Sequence, residues 1–331
     1  MPLSSEERIL ECLSGYFSKR HPSLALGRGD DCALLENTPR LCTSSDLFLE
    51  DVHFRRAYFT PEDVGYKALA VNISDLAACG ARPLAFSLCL GLPPDISMSW
   101  LEAFFSGMSV LADAHNMALA GGDLSRCRSL HISITVWGQC GDGFLKRGTS
   151  LPGDAIFLIG AVGLARIGLS MLETLGRKAL EDWPAACAAH LRPKVRTEAG
   201  LALAKAARPP SLMDVSDGLA RDLPRLLHAD NRHFGADIAL PEDSLHPELL
   251  RYAGMYAKNP AQEAVIGGED YALLGSCPQE TLRALAIPGL CRIGTVTETS
   301  EIVCNGNSLE SIGFDHFASQ LPTSESRSGT Q

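Results

Sequence analysis

Apolar residues recur along this chain with two periods, about 3.6 positions in some stretches and about 2 in others, and their alternation predicts an α/β protein. Ile9, Leu10, Leu13 and Phe17 share one helical face and predict an amphipathic opening helix over 5–18. Gly27-Arg-Gly-Asp-Asp31 reads as a turn before an apolar strand, Cys32-Ala-Leu-Leu35. The stretch from Leu41 to Leu49 reads as a strand that runs into Ser44, Ser45 and Asp46. From Pro61 to Cys79 the period is helical, with Tyr66, Leu69, Ala70, Ile73, Leu76 and Ala77 in one stripe. Asn72 and Asp75 lie one turn apart on a different face, beside Ala68, Val71 and Cys79, and so polar a pair on so apolar a helix calls for a partner. Leu84 to Leu90 reads as a strand, 99–115 as a helix, and Met117 to Ala120 as a short strand ending at a Gly121-Gly-Asp-Leu-Ser125 turn. Leu130, Ile132, Ile134 and Val136 alternate as a further strand.

Charge, glycine and proline then cluster in Lys146-Arg-Gly-Thr-Ser-Leu-Pro-Gly153, which predicts a boundary between two α/β domains, 1–148 and 149–319. Residues 320–331 are polar and expected to be disordered. The second domain opens on an apolar strand, Asp154-Ala-Ile-Phe-Leu-Ile-Gly160, and Gly160-Ala-Val-Gly163 precedes a helix. Leu212 to Val215 reads as a buried strand end; after Gly218, Leu219, Leu223, Leu226 and Leu227 fall at helical spacing. Pro224 is tolerable there only near the first turns of the helix. Gly267-Gly-Glu-Asp-Tyr271 repeats the Gly-Gly-acid pattern of 121–123 ahead of another apolar run.

Composition narrows the class. A length of 331 residues suits two ordinary domains, and 46% hydrophobic with 21% charged residues describes a soluble globular protein. A net charge of −10 without clustered Lys and Arg argues against nucleic-acid binding. The 11 cysteines are scattered singly, with no Cys-x-x-Cys pair, which suits reduced thiols in a cytoplasm better than a zinc site. No basic-then-apolar export signal opens the chain, and no apolar run reaches transmembrane length.

The candidate chemistry is carried by acids presented at turns and on one helix face: Asp30 and Asp31, Asp46, Asp75, Asp123, Asp214 and Asp217, and Glu269 and Asp270. Asp214-Val-Ser-Asp-Gly218 stands at a strand-to-helix junction, where open α/β sheets place ligands; its plainer reading is that Ser216 or Asp217 only caps the helix. Gly-Asp-Asp is equally an ordinary turn. Convergence of all these carboxylates would be self-repelling unless hard divalent cations sat among them, and Mg²⁺ shared with phosphates takes such ligands. No P-loop, Gly-x-Ser-x-Gly, His-Glu-x-x-His or His-Arg-Asp motif is present. Residue pattern alone therefore points to a Mg²⁺-dependent phosphate-handling enzyme.

Taken in order, Gly29-Asp-Asp-Cys-Ala-Leu-Leu35, Thr43-Ser-Ser-Asp46 with His53-Phe54, Tyr66 to Ala78, Gly121-Gly-Asp123, His190-Leu-Arg-Pro193, Asp214-Val-Ser-Asp-Gly218 and Gly267-Gly-Glu-Asp-Tyr271 resemble the thiamine-monophosphate kinase family. The resemblance implies a PurM-like, two-domain α/β (α+β) fold, shared with aminoimidazole ribonucleotide and selenophosphate synthetases and a hydrogenase maturation factor, with N-domain strands pairing across a cytoplasmic homodimer. It implies ATP and Mg²⁺ as co-substrate and cofactor and thiamine monophosphate as acceptor. By match to its motifs, Asp31, Ser44, Ser45, Asp46, Asp75, Asp123, Asp214 and Asp217 are expected to hold Mg²⁺, with Asp217, Asp75 and Asp214 central to catalysis. Gly121, Gly122, Arg147 and Ser216 are expected to contact ATP, and His53, Glu269 and Phe314 the thiamine monophosphate. Three positions depart from the family's pattern: Asp51 replaces a usual Gly, His115 a common Tyr, and Phe314 a Trp or Tyr. The selenophosphate-synthetase alternative needs a reactive cysteine near the N-terminus and the maturation-factor alternative a C-terminal one, and neither Cys12, on a helix without flanking glycines, nor the cysteine-free tail supplies it. A catalytically silent nucleotide-binding protein is the remaining alternative.

Overall fold

The computed structural model describes residues 6–17, 21–26, 34–36, 40–141, 143–229 and 232–309; Asp30, Asp31, Phe314 and the tail from 320 lie outside them. In chain order the first half forms α1 (Glu6–Tyr16), β1 (Leu24–Leu26), β2 (Leu34–Leu35), β3 (Leu41–Leu49), α2 (Pro61–Ala78), β4 (Ala81–Leu92), α3 (Met98–Ala114), β5 (Ala118–Arg126) and β6 (His131–Cys140). The second half forms β7 (Ala155–Ile159), α4 (Leu164–Leu175), α5 (Ala179–Asp182), α6 (Pro184–Leu191), α7 (Thr197–Leu203), β8 (Ser211–Asp214), α8 (Leu219–Leu227), β9 (His228–Ala229), β10 (Arg232–His233) and β11 (Gly235–Ile238). It closes with α9 (Pro247–Met255), α10 (Pro260–Ile266), β12 (Leu273–Cys277), α11 (Gln279–Ala284), β13 (Leu290–Thr297), β14 (Ile302–Cys304) and β15 (Asn307–Ser308).

Two sheets organise these elements. The first has the order β3-β6-β4-β5 and is antiparallel except for the β4–β5 pair. Ile132, Ile134 and Val136 of β6, at 0–1% exposure, turn inward, and α2 packs over that side with α3 against it. The second sheet, β15-β14-β11-β13-β7-β12-β8, is mostly antiparallel and leaves β8 at its edge.

Helix α2 lies between these sheets and is buried along nearly its whole length. Thr60 opens it with a capping box: its hydroxyl accepts from the Asp63 N–H while Asp63 accepts from the Thr60 N–H, each at 3.2 Å. Glycines let its neighbours close in. A Cβ at Gly65 would stand 2.0 Å from the Phe104 carbonyl oxygen of α3, and one at Gly200 of α7 would stand 2.0 Å from that of Ala77.

Where the described residues test them, the local expectations are met with two differences. The short strand expected to stop at a Gly121-Gly-Asp turn instead runs through the glycines to Arg126. A Cβ at Gly122 would lie 1.8 Å from the Leu88 carbonyl oxygen, so glycine lets β5 stay paired to β4 past the register shift between Phe86 and Ser87. Pro224 lies in the second turn of α8 rather than its first, and the helix ends three residues later at Leu227.

Gly65→Ala removes a helix-weakening residue yet forces α2 from α3. Overpacking outweighs the propensity gain of about 1 kcal/mol, and urea denaturation is expected to show a net loss of roughly 1–3 kcal/mol.

Candidate active site

Three acids from three elements act on one another where the sheets meet. Edge strand β8 ends in Asp214, 5% exposed, whose Oδ2 accepts a 2.6 Å hydrogen bond from Ser74 Oγ of α2. One residue further along α2, Asp75 accepts from Ser44 Oγ of β3 at 2.5 Å. Asp46 lies two residues beyond Ser44 and so on the same face of β3. Burial, and then the Asp75 charge, push Asp46 up to about 6. Burial followed by Asp75, Asp222 and Asp46 pushes Asp214 up to about 7, against the Ser74 bond. Asp75 is raised by burial, with Ser44 and Arg147 opposing.

The loop after β8 is shaped from within its own helix. Gly218, at φ 103°, stands at the N-cap of α8, and no side chain caps there, so the plainer reading of Ser216 or Asp217 as a cap does not hold. Asp222 instead folds back and accepts the Ser216 and Asp217 N–H groups at 3.0 and 2.9 Å. Arg225 bridges Asp222 at 2.8 Å and Asp217 at 2.5 Å, so the Asp217 carboxylate is held by an arginine.

A second loop lies against the first. Glu269 N–H donates to the Ser216 carbonyl at 2.8 Å and Tyr271 N–H to that of Val215 at 2.9 Å. Both residues hold a positive φ, 62° and 48°, which non-glycine residues adopt only at a cost. The Glu269 carboxylate faces Lys67 Nζ at 3.0 Å and His190 Nδ1 at 3.1 Å. Burial opposes its ionisation, but Lys67 and His190 outweigh that and hold it far below the usual carboxylate range. The Tyr271 hydroxyl is raised well above its ordinary value by burial, then by the charges of Glu269, Asp214, Asp46 and Asp75.

The remaining expected residues surround this core unevenly. Lys146 accepts from Leu212 N–H at 3.2 Å and Gly148 N–H donates to Leu226 at 2.9 Å, which pins Arg147 between them, near Asp75. Gly121 and Gly122 lie on β5 with Asp123, which is exposed and bonded by Ser125 Oγ at 3.1 Å. The Ser45 side chain points to the opposite face from Ser44 and shares a 2.7 Å bond with Thr135. His53 stacks on Phe48 and accepts the Leu49 N–H at Nδ1, which leaves the proton of a neutral ring on Nε2. Asp51 holds φ 64°, the left-handed turn that the family's glycine would take without strain. His115 caps α3, and burial lowers its pKa against the pull of Glu198. Asp31 and Phe314 fall outside the described residues.

Lys67, Ser74, His190, Asp222, Arg225 and Tyr271 had no role in the residue-pattern reading. One signal was available: Asp63, Lys67 and Ser74, spaced i, i+4, i+11, share a single helical face.

No set of three His, Cys, Asp or Glu side chains among the described residues closes into a metal cage. The donor set nevertheless fits a hard cation. Asp46, Asp75 and Asp214 are all raised by burial, Asp46 also by Asp75 and Asp214 also by Asp75 and Asp46, a repulsion that a divalent ion would relieve. Mg²⁺ keeps several waters and needs only a few protein carboxylates beside phosphate oxygens.

The AIR synthase related protein, N-terminal domain, matches residues 29–140. A thiamine-monophosphate kinase of Aquifex aeolicus (strain VF5) is 33% identical over 291 residues, covering 87% of this chain and 92% of that protein. One of Escherichia coli (strain K12) is 36% identical over 326 residues, covering 92% and 97%. Among solved structures, AaThiL complexed with AMPPCP and TMP superposes with a TM-score of 0.76 at 31% identity, covering 94% of this chain and 97% of that one.

Removing the Asp222 carboxylate orphans two backbone donors. Asp222→Ala is expected to destabilise the protein by roughly 1–3 kcal/mol in urea denaturation, and Asp222→Asn, which keeps an acceptor, by less. Asp270 supplies a pH test. It accepts the Gly163 and Ala165 N–H groups at the start of α4, at 2.5 and 2.9 Å, yet burial outweighs them and pushes its pKa from 3.8 up to about 7. Its stabilising contribution is therefore complete below 3.8 and is lost as pH rises through about 7. Asp270→Asn should flatten that part of the pH dependence of the urea midpoint.

Proposed function

The chain belongs to the thiamine-monophosphate kinase family, and from that premise we propose that it transfers the γ-phosphoryl group of ATP in line onto the phosphate of thiamine monophosphate, with Mg²⁺, giving thiamine diphosphate and ADP. The observation that carries this reading is the meeting of Asp46, Asp75 and Asp214, acids from both sheets' sides of α2, beside two loops whose Asp217 and Glu269 carboxylates are paired with Arg225 and Lys67 rather than offered as general bases.

The acceptor explains why none is needed. A phosphate monoester loses its second proton at about pH 6, so it is already a nucleophile near neutrality. The barrier is the approach of two anions. Asp31, Ser44, Ser45, Asp46, Asp75, Asp123, Asp214 and Asp217 would hold Mg²⁺, which would supply the positive charge that offsets the repulsion between the two phosphates. Ser44 and Ser74 orient Asp75 and Asp214 for that task through their hydrogen bonds. Asp222 and Arg225 shape the loop that carries Ser216 and Asp217. Arg147 and the bare backbone of Gly121 and Gly122 receive ATP, where a side chain at Gly122 would collide with Leu88. His53, Glu269 and Phe314 receive the thiamine monophosphate.

Residues 1–148 and 149–319 act as two domains that share this site. A cytoplasmic homodimer completes the reading: β3 turns Leu41, 44% exposed, and Leu47, 59% exposed, outward on the face away from α2, which suits pairing with a second copy. No helix of the described residues is long and apolar enough to cross a membrane.

Incubation with ATP, Mg²⁺ and thiamine monophosphate should yield thiamine diphosphate and ADP in equal amounts by chromatography, and chelation of Mg²⁺ with EDTA should abolish both. Asp75→Asn should lower kcat by roughly 10²–10³-fold, the scale of losing one preorganised electrostatic contact; full activity in Asp75→Asn and Asp217→Asn would remove the metal assignment. Leu47→Lys is expected to shift the sedimenting species from dimer to monomer, and an unshifted dimer would place the interface elsewhere.

A further inference from the structure

Lys67 is the most deeply buried charge on α2, at 0% exposure, and His190 of α6 lies beside it at 1%. Their partner is one carboxylate: Lys67 Nζ stands 3.0 Å from Glu269 Oε1 and His190 Nδ1 3.1 Å from Oε2. These are contacts of charge and distance, since neither Lys67 Nζ nor either His190 nitrogen has an aligned hydrogen bond among the described residues. Aromatic rings wall the pair off from water, with Phe59 5.4 Å from Lys67 Nζ and from the His190 ring centre, and Tyr58 at 6.3 Å.

An arrangement of this kind serves the fold poorly. Buried cations with incomplete hydrogen bonding lower stability relative to apolar residues of the same size. Its effect is local: it fixes the Glu269 carboxylate, at the end of a positive-φ residue, with both oxygens engaged from behind and 26% of the side chain still exposed. The groups facing the unit are Lys67 of α2, His190 of α6, the Tyr58 and Phe59 rings, and Tyr271 on the same loop.

We propose that Lys67 and His190 are positioning residues that hold Glu269 as an oriented anion for the cationic heteroaromatic end of the acceptor. Thiamine monophosphate carries a thiazolium with a permanent positive charge, and a carboxylate with each oxygen faced by a fixed side chain is the complement to it. This rests on the reading that Glu269 meets the acceptor, and the test separates the two.

Steady-state kinetics of the full chain with ATP, Mg²⁺ and thiamine monophosphate are measured for Glu269→Gln, Lys67→Met, His190→Phe, His190→Gln and the Lys67→Met/Glu269→Gln pair. Glu269→Gln and Lys67→Met should each raise KM for thiamine monophosphate about tenfold, leaving KM for ATP and kcat within about threefold. The pair should be no worse than either single variant, because it removes both charges together and keeps the comparison available where Lys67→Met alone folds poorly. His190→Gln, which keeps a donor, should restore the KM that His190→Phe loses. In Lys67→Met the ratio of its KM to the wild-type KM should climb as pH falls from 8 to 5, since burial then acts on Glu269 with less opposition. An unchanged KM in Glu269→Gln overturns the acceptor reading and this proposal with it. A raised KM in Glu269→Gln with unchanged KM in Lys67→Met and His190→Phe, or a fall in kcat alone that tracks lost folded protein, overturns the positioning role and leaves the acceptor reading standing.

Discussion

A helix buried between two sheets that nevertheless carries charge on one face is the constraint from which the rest of this structure follows. Asp63, Lys67 and Ser74 of α2 point to one side and each meets the second half of the chain: Asp63 pairs with Arg177 at 2.9 Å and Arg192 at 2.6 Å, Lys67 with Glu269, and Ser74 with Asp214. Burial of such groups is tolerable only when they are paired, so the two halves are held in one register by the requirement that none of these partners be lost. Close approach at Gly65 and Gly200 lets α3 and α7 seal the helix on its remaining sides.

The same helix explains why the acids meet. Ser74 and Asp75 are consecutive residues about 100° apart around α2, so one reaches Asp214 on β8 and the other Ser44 on β3. Strand β8 lies at the edge of its sheet, which leaves its last residue open to α2 rather than covered by a further strand. The result is a concentration of negative charge that the fold alone leaves unrelieved, as the raised pKa values of Asp46 and Asp214 record. A site built this way favours ligands that bring positive charge, as metal-bound nucleotide does.

Part of the backbone strain among the described residues lies in the loops near this charge, while Asn116, Ala257 and Asn305 carry it elsewhere. Asp51, Glu269 and Tyr271 all hold left-handed conformations without being glycine. In the case of Glu269 and Tyr271, hydrogen bonds from their own N–H groups to Ser216 and Val215 tie one acidic loop to the other. The two loops are therefore a single structural unit, and the position of the Glu269 carboxylate depends on the loop that carries Asp217.

Much of this was legible in the residues. Hydrophobic periodicity placed α2, α3, β3, β6 and β8 within a few positions of where they lie, because a buried stripe or alternating face leaves its period in the chain whatever it packs against. The acid-bearing motifs were legible too, since carboxylates beside glycines stand out against an apolar background. What each acid faces was not legible. Asp217 reads as the equal of Asp214, yet one pairs with Arg225 and the other with Ser74, a choice made by contacts 8 and 140 residues distant in sequence. The strand through Gly121 and Gly122 looked like a turn, because a glycine that serves close strand pairing is locally identical to one that serves a bend. Lys67 drew no reading of its own from the residues and is the most buried cation of the site, because only the packing of α6 and the Glu269 loop against α2 removes it from water.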